Sequence, residues 1–413
     1  MKSQKKYIFL QMTGEIMAQI KQFVPKTDNS EPRGDFEEKI RKHRRSRLAK
    51  AALVTLATVV VVLALTAYSR NQIYRSYTQI ATADRTIVSE STCLNHNGNL
   101  LIYSRDGISS MDAKGNVLWN ETYQMQRPIV RINGSAVAAG DYNGNVIYIM
   151  DENGKIGEID TNLPIQDFCI SKTGIVAAIL ADSQVMRLNV YNTNGEEAVK
   201  SESRMNQKGY PLAAALSDDG KVMAVSYLYV DSGTMRTSVA FYNFSEVGQN
   251  SVDRFISGYD YMDTVMPTVG FLGTNAAYAI GDGRISFFSG EEKPVSIAEN
   301  LLNEQIQSIY TGERHVALVF VDSTGASGYR VDVYDETGTV VLSQKIDIEY
   351  QNILIREDSI LIYNEKECLM YGMNGKQKYK GSFAKNVSLV IPGQRSNRLV
   401  LVTADSIDTV ELN

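Results

Sequence analysis

The sequence predicts an all-β fold, a β-propeller of eight blades, joined to one N-terminal transmembrane helix. Three observations carry that prediction. From Leu100 onward the chain consists of short apolar runs broken by Gly, Asn and Asp turns and rich in β-branched and aromatic residues, the texture of strands. A short turn motif recurs along it with a period of about 40 residues. Ahead of that region lies one long apolar stretch without a charge, Ala51 to Tyr68.

Residues 1–50 carry 13 Lys and Arg against 6 Asp and Glu, a surplus of 7; the remaining 29 and 41 leave the rest of the chain at −12. Within this basic tail, Ile8, Met12, Ile16, Ile20 and Val24 recur every fourth residue, which predicts an amphipathic helix over Tyr7 to Val24. Such a face suits a cytoplasmic partner or the inner leaflet, the latter weakly because only Lys21 adds positive charge within it. Pro25 to Asp35 reads as a linker, and Phe36 to Lys50 as a charged helix leading to the apolar stretch.

Ala51 to Tyr68 (AALVTLATVVVVLALTAY) has polar groups small enough to fold back onto a helix backbone. Its 18 residues, at about 1.5 Å each, make a helix of about 27 Å for a hydrocarbon core of about 30 Å. A cleaved signal peptide fits less well. Those segments total about 15–30 residues, whereas 50 residues precede this core, and Leu65-Thr66-Ala67 lacks the small residue three back from a cleavage point.

Arg41, Lys42, Arg44, Arg45, Arg47 and Lys50 abut the span, with only Arg70 and Arg75 soon after it. The positive-inside rule then places the N-terminus in the cytoplasm, and the acidic bulk outside argues against nucleic acid as a partner. The expected organisation is a basic cytoplasmic tail (1–50), a membrane span (51–68), a short stalk (69–79) and an extracytoplasmic propeller (80–413). Tyr68, Tyr74 and Tyr77 suit the headgroup level of the bilayer.

Within the propeller region five segments share an apolar residue, three turn residues and a glycine: Met111 to Gly115, Met150 to Gly154, Tyr191 to Gly195, Tyr334 to Gly338 and Tyr371 to Gly375. Each ends one strand and turns into the next, with glycine supplying a left-handed backbone. The long gap between the third and fourth copies holds two degenerate ones, at Val239 to Tyr242 and Ile285 to Phe288. An earlier apolar strand and hairpin turn accompany each copy, and an eighth hairpin, Leu399 to Leu412, ends the chain. A repeat of about 40 residues with four strands is the signature of a propeller, whose blades need neighbours to bury both faces. Eight hairpins imply eight blades, with seven and one hairpin outside the ring as the alternative. The last blade stops one strand short, so residues around Tyr77 to Val88 are expected to supply its outer strand and close the ring. One stretch, Ser296 to Gln305, reads as a helix.

At Met111 to Trp119, MDAKGNVLW resembles the repeat of quinoprotein-type (PQQ-type) propellers, in which an apolar residue and Asp precede a Gly turn and a strand closing with Trp. The resemblance implies the propeller fold. It implies no quinone site, because Trp119 is the chain's one tryptophan and the adjacent cysteine pair of those enzymes is missing. The whole layout also resembles a family of single-span, membrane-anchored propeller proteins of Gram-positive bacteria, a likeness that brings no activity with it.

No residue pattern assembles a catalytic set, a metal site or a cofactor site, and none is expected. Cys93, Cys169 and Cys368 lie far apart and form no C-x-x-C pair. His43, His96 and His315 show no metal-ligand spacing, and His315 reads as a blade-edge residue. Asp141, Asn143, Asn145 and Glu152 resemble a calcium loop until the strand VIYIM interrupts them, so a tight Asn143-Gly144 hairpin accounts for them better. No G-x-S-x-G elbow and no Ser-x-Asp-x-Gly-x-Thr-Trp box are present. The remaining candidate for ligand binding is Tyr259, Asp260, Tyr261 and Asp263, since tyrosines beside carboxylates can stack on sugar rings and bond their hydroxyls. The expected function is that of a non-enzymatic scaffold, membrane-anchored and binding a protein or an envelope component. The alternatives are an ectodomain that binds or cleaves glycan and a sensor that signals through the Tyr7 to Val24 helix.

Overall fold

A computed structural model describes residues 41–43, 47, 49–62, 71–85, 87, 90–183, 185–203, 209–322 and 328–413. The chain divides into two compact units, Met1–Tyr68 and Ser69–Asn413. In the first, residues 49–62 are helical. Thr55 and Thr58 donate their hydroxyls to the carbonyls of Ala51 and Val54 at 3.0 and 2.9 Å, so both polar side chains are satisfied by their own helix. Among the described residues no helix is long and apolar enough to cross a membrane. The last six residues of the expected span, 63–68, lie outside the described residues, as do Arg44, Arg45 and the expected Tyr7 to Val24 helix. Arg41, Lys42, Arg47 and Lys50 are exposed.

The second unit is an eight-bladed propeller, each blade an antiparallel sheet of four strands among the described residues. Blades 1 to 7 span residues 92–122, 128–160, 165–203, 210–261, 268–301, 306–346 and 352–382 in chain order, and blade 8 spans 389–412. Blade 8 takes its outer strand from the other end of the unit: Tyr77–Asp84 pairs antiparallel with Ser406–Leu412, from Tyr77 opposite Leu412 to Asp84 opposite Ser406. The expected closure is therefore present, with Ile80 bulged out where the register shifts between Gln79 and Ala81.

Each blade buries both faces against its neighbours, and eight apolar clusters fill the eight interfaces. Phe241 and Tyr261 of blade 4, with Met266 of the connection that follows, meet Ala277 and Phe288 of blade 5, for example. At the seam, Leu100 and Met111 of blade 1 meet Leu389, Ile391, Val400 and Ile407 of blade 8. The seam thus has a core of the same kind as the other interfaces, so no blade presents a bare apolar face. The repeat glycines follow the expected chemistry: Gly115, Gly154, Gly195, Gly338 and Gly375 all take positive φ. At Gly195 a side chain would also run into the backbone carbonyl of Glu158 in the neighbouring blade. The turns are held by side chains: the Asp112 carboxylate accepts the backbone N–H groups of Lys114 and Asn116, and Asp335 those of Thr337 and Thr339.

Two expectations are corrected. Val295–Leu301, which overlaps the stretch expected to be helical (Ser296 to Gln305), is the outer strand of blade 5 and pairs with Arg284–Ser289. Its Ala, Glu and Leu favour helix, but pairing and the Asn300 bond to the Gly338 carbonyl (2.8 Å) of blade 6 override that propensity. Tyr74 and Tyr77 belong to the ring and not to a headgroup layer. Tyr74 is 5% exposed, packs among Leu361, Tyr363, Val387 and Leu412, and donates its backbone N–H to the Lys378 carbonyl at 2.7 Å. The Tyr77 hydroxyl accepts the backbone N–H of Ala384 at 2.9 Å. The apolar bodies of both rings are used to latch the closing strand onto blades 7 and 8.

Beside this latch the buried Lys378 ammonium donates to the Asp358 carboxylate at 2.9 Å. Partial burial pushes the Asp358 carboxyl up. Hydrogen bonds from Lys378 and Ser359, with the charges of Lys378 and Arg356, outweigh that and hold it below the usual carboxylate range. A carboxylate with a lowered folded-state pKa stabilises fully above its unfolded value of about 3.9, and the gain is lost as pH falls through the folded value.

Two predictions follow from the closure and its latch. A chain starting at Ser69 should melt in one cooperative transition by circular dichroism, whereas one starting at Ile87, lacking latch and closing strand, should lose most of a stability of about 5–15 kcal/mol. Equal melting of the two would contradict closure by Tyr77–Asp84. Asp358→Ala should cost about 2 kcal/mol at neutral pH by leaving the Lys378 ammonium unpaired. The same variant should show a shallower stability loss than wild type below about pH 4 in urea titrations.

Candidate functional site

A site of catalysis in a ring would be sought first along its central channel, where the eight innermost strands meet. Histidine aside, those strands carry two charged side chains, Arg131 and Asp167. They neutralise one another across blades 2 and 3 at 2.7 Å. His96, at the end of one inner strand, is fully buried, with Nε2 on the Ser135 carbonyl at 2.9 Å and its ring edge-on to Trp119. Burial raises the Cys93 thiol to about 11, and the Cys169 and Cys368 thiols, each also beside a carboxylate, to about 12. The Asp141 carboxylate accepts the backbone N–H groups of Gln126 and Arg127, and His315 opens a strand of blade 6. Among the described residues no group of His, Cys, Asp and Glu is arranged to hold a metal ion.

The distinctive surface feature is on blade 4. Its two middle strands, Val222–Asp231 and Thr234–Asn243, have ten residues each and are paired throughout. In the other seven blades the middle strands have five to seven residues. At about 3.3 Å per residue, the additional length carries the hairpin about 10 Å further than its neighbours reach. Ser232 and Gly233 both take positive φ, the two-residue turn whose twist matches that of the strands. The base of the hairpin is fixed by the buried Tyr227 and Tyr242, hydroxyl to hydroxyl at 3.1 Å, and by Thr237, whose hydroxyl accepts the Met266 N–H at 3.3 Å.

The tip has no such cover. Val230 and Met235 are register partners and are 62% and 63% exposed. Arg236 pairs with Asp231 at 2.8 Å. Burial and the nearby Asp260 carboxylate raise the Tyr229 phenol.

The outer strand of blade 4, Phe255–Tyr261, runs beside this hairpin and brings in the residues picked from the sequence. Asp260 and Asp263 are exposed, and Asp263 pairs with Arg284 of blade 5 at 2.7 Å. Tyr261 is 6% exposed and lies near the Arg284 guanidinium. Tyr259 packs on Phe288 and Phe241, donates its hydroxyl to the Pro294 carbonyl and accepts the Ser296 N–H. Both tyrosine rings are thus engaged within the blade 4–5 interface. The residue between them and Asp263, Met262, is the exposed one, at 57%.

Val230, Met235 and Met262 therefore put three exposed apolar side chains on one corner of the ring, among four carboxylates (Asp231, Asp260, Asp263, Glu299) and two guanidiniums (Arg236, Arg284). An apolar centre with a charged rim is the composition of a protein-binding surface. The sequence signal for it was the long alternating run SYLYVDSGTMRTSVAFY around Ser232-Gly233.

Comparison with known proteins agrees with the fold. No curated protein matches the chain. Among solved structures, Sqt1 of Chaetomium thermophilum bound to the N-terminus of the ribosomal protein L10 is 12% identical, with a TM-score of 0.51 over 81% of this chain and 100% of that one. BamB of Moraxella catarrhalis is 12% identical, with a TM-score of 0.49 over 82% and 100%. AztD of Citrobacter koseri is 9% identical, with a TM-score of 0.47 over 72% and 87%. The likeness to Sqt1 shows a shared fold. The family of unknown function DUF5711 matches residues 70–412, which takes in the closing strand and all eight blades, and the chain belongs to that family.

Proposed function

We propose that this protein is a single-pass, membrane-anchored scaffold whose ring binds a protein partner outside the cytoplasm through the blade 4 corner. The observation that carries the binding role is the projecting hairpin, pinned at its base and bare at its tip. Val230, Met235 and Met262 are costly to leave in water, and the fixed backbone beneath them lowers the entropy lost on binding. Four carboxylates against two guanidiniums, with Asp231 paired to Arg236 and with Asp263 and Glu299 both paired to Arg284, leave the rim with a negative surplus, which favours a partner that presents apolar side chains with some basic ones. Sqt1, a protein of the same fold, has been seen bound to the N-terminus of the ribosomal protein L10.

The anchor is supported by the charge-free stretch Ala51 to Tyr68 and by the two threonines already satisfied by their own helix. The plasma membrane is the location, with the tail of residues 1–50 in the cytoplasm by the basic flank Arg41 to Lys50 and the ring outside. The inner strands, with one self-neutralised ion pair, favour binding over catalysis.

Replacing Val230 and Met235 together by Ser should leave stability within about 0.5 kcal/mol, because both side chains face solvent. It should weaken partner binding by about 2 kcal/mol, about thirtyfold. Crosslinked pull-downs from cells, followed by titration of the recovered partner, provide the measurement. A partner held equally well by the wild type and the double variant would rule out this corner as the binding surface.

A further inference from the structure

At several blade interfaces the connection from one outer strand to the next inner strand drops an apolar side chain into the end of the gap. Met266 does so between blades 4 and 5, Ile348 between blades 6 and 7 and Val387 between blades 7 and 8, and all three are buried. At the seam the connection is residues 85–91, between the closing strand and Thr92, and its Ile87 is only partly buried against the core of blades 8 and 1. A cavity of about 320 Å³ remains there, between this connection and the face of blade 1 turned to blade 8. That volume is at the lower end of the range for small-ligand sites, about 300–1,000 Å³.

Strand register decides what lines it. Ile102, Ser109 and Asn120 are partners across the second, third and outer strands of blade 1, so their side chains share one face. Met111, two residues on from Ser109, has the same parity and packs into the seam core. The next row along is Gly107 opposite Thr122. Polar groups in these rows are unused. Among the described residues the side chains of Arg85, Ser91, Ser109, Asn120 and Thr122 form no hydrogen bond or ion pair within the chain. The corresponding row of blade 6 shows the contrast. There Asp332 lies opposite Ser343 and accepts its hydroxyl at 2.6 Å and the Arg330 guanidinium at 3.1 Å. Blade 6 closes this row on itself, whereas blade 1 leaves it open to the cavity.

We propose that the seam cavity binds a short carbohydrate, one or two sugar units carrying a single carboxylate. The hydroxyls of Ser91, Ser109 and Thr122 and the carboxamide of Asn120 both donate and accept, which matches the mixed donors and acceptors of a polyol. Ile87, Ile102 and Met111 offer apolar surface to the C–H side of a sugar ring. The Arg85 guanidinium, a fork of donors, takes the carboxylate. Asp106, exposed at the rim, turns away ligands of higher negative charge. This site lies on blade 1 and needs neither the blade 4 corner nor its partner.

The test is saturation-transfer NMR on the full chain, held in a detergent without a sugar headgroup, with glucuronate, glucose and glutamate as probes. Glucuronate should show saturable transfer and glucose a weaker one. Asn120→Ala should weaken both sugars about tenfold through the lost hydrogen bonds. Arg85→Gln should weaken glucuronate about tenfold and leave glucose as it was. Both side chains are exposed, so melting should not move; if Asn120→Ala does shift it, Thr122→Val takes its place. The Val230 and Met235 double serine variant should bind both sugars as the wild type does. No transfer from either sugar would overturn the proposal, as would transfer that Asn120→Ala, Thr122→Val and Arg85→Gln all retain in full, since the sugar would then sit elsewhere. Glucose bound as tightly as glucuronate would overturn the carboxylate and the role of Arg85. Transfer from glutamate alone would overturn the carbohydrate and give the cavity to an amino acid.

Discussion

The backbone pairing of Tyr77–Asp84 with Ser406–Leu412 decides whether there is a ring at all. Blades 1 to 7 are each made from one continuous stretch of chain, and any of them could be copied without changing the others. Blade 8 cannot, because three of its strands come last in the chain and the fourth comes first. Until the two meet, blade 1 has no partner for Leu100 and Met111, and blade 8 has none for Leu389 and Ile391. An open arc would leave two apolar faces and a free strand edge in water, which are the features that drive aggregation.

The latch ahead of that strand adds a second constraint. Tyr74 is held by the Lys378 carbonyl and by the core between blades 7 and 8, and Asn413 exchanges backbone hydrogen bonds with Arg75 and Ser76. The end of the chain and the beginning of the ring are thus one structure.

Much of the ring was legible in the sequence, and the reason is physical. The spacing of Gly115, Gly154, Gly195, Gly338 and Gly375 records a backbone requirement that no other residue type meets cheaply, and the missing strand after Leu412 pointed to a donor near Tyr77. What the sequence did not show depended on neighbours. Ser296 to Gln305 has helical composition, and only pairing to Arg284–Ser289 makes part of it a strand. Which of Tyr259, Asp260, Tyr261 and Met262 faces solvent depends on the parity of the strand, and the register shift between Phe241 and Tyr242 resets that parity. The bare pair Val230 and Met235 needed the hairpin's true length, which became visible against the shorter hairpins of the other blades.

The most direct test of ring closure is amide hydrogen exchange read peptide by peptide on the intact protein. Closure predicts that residues 77–84 exchange as slowly as residues 406–412, opening only with the ring as a whole. Fast exchange of 77–84 beside a protected 406–412 would mean that the strand is a loosely held extension, and would contradict the account of the ring as a structure locked by its own beginning.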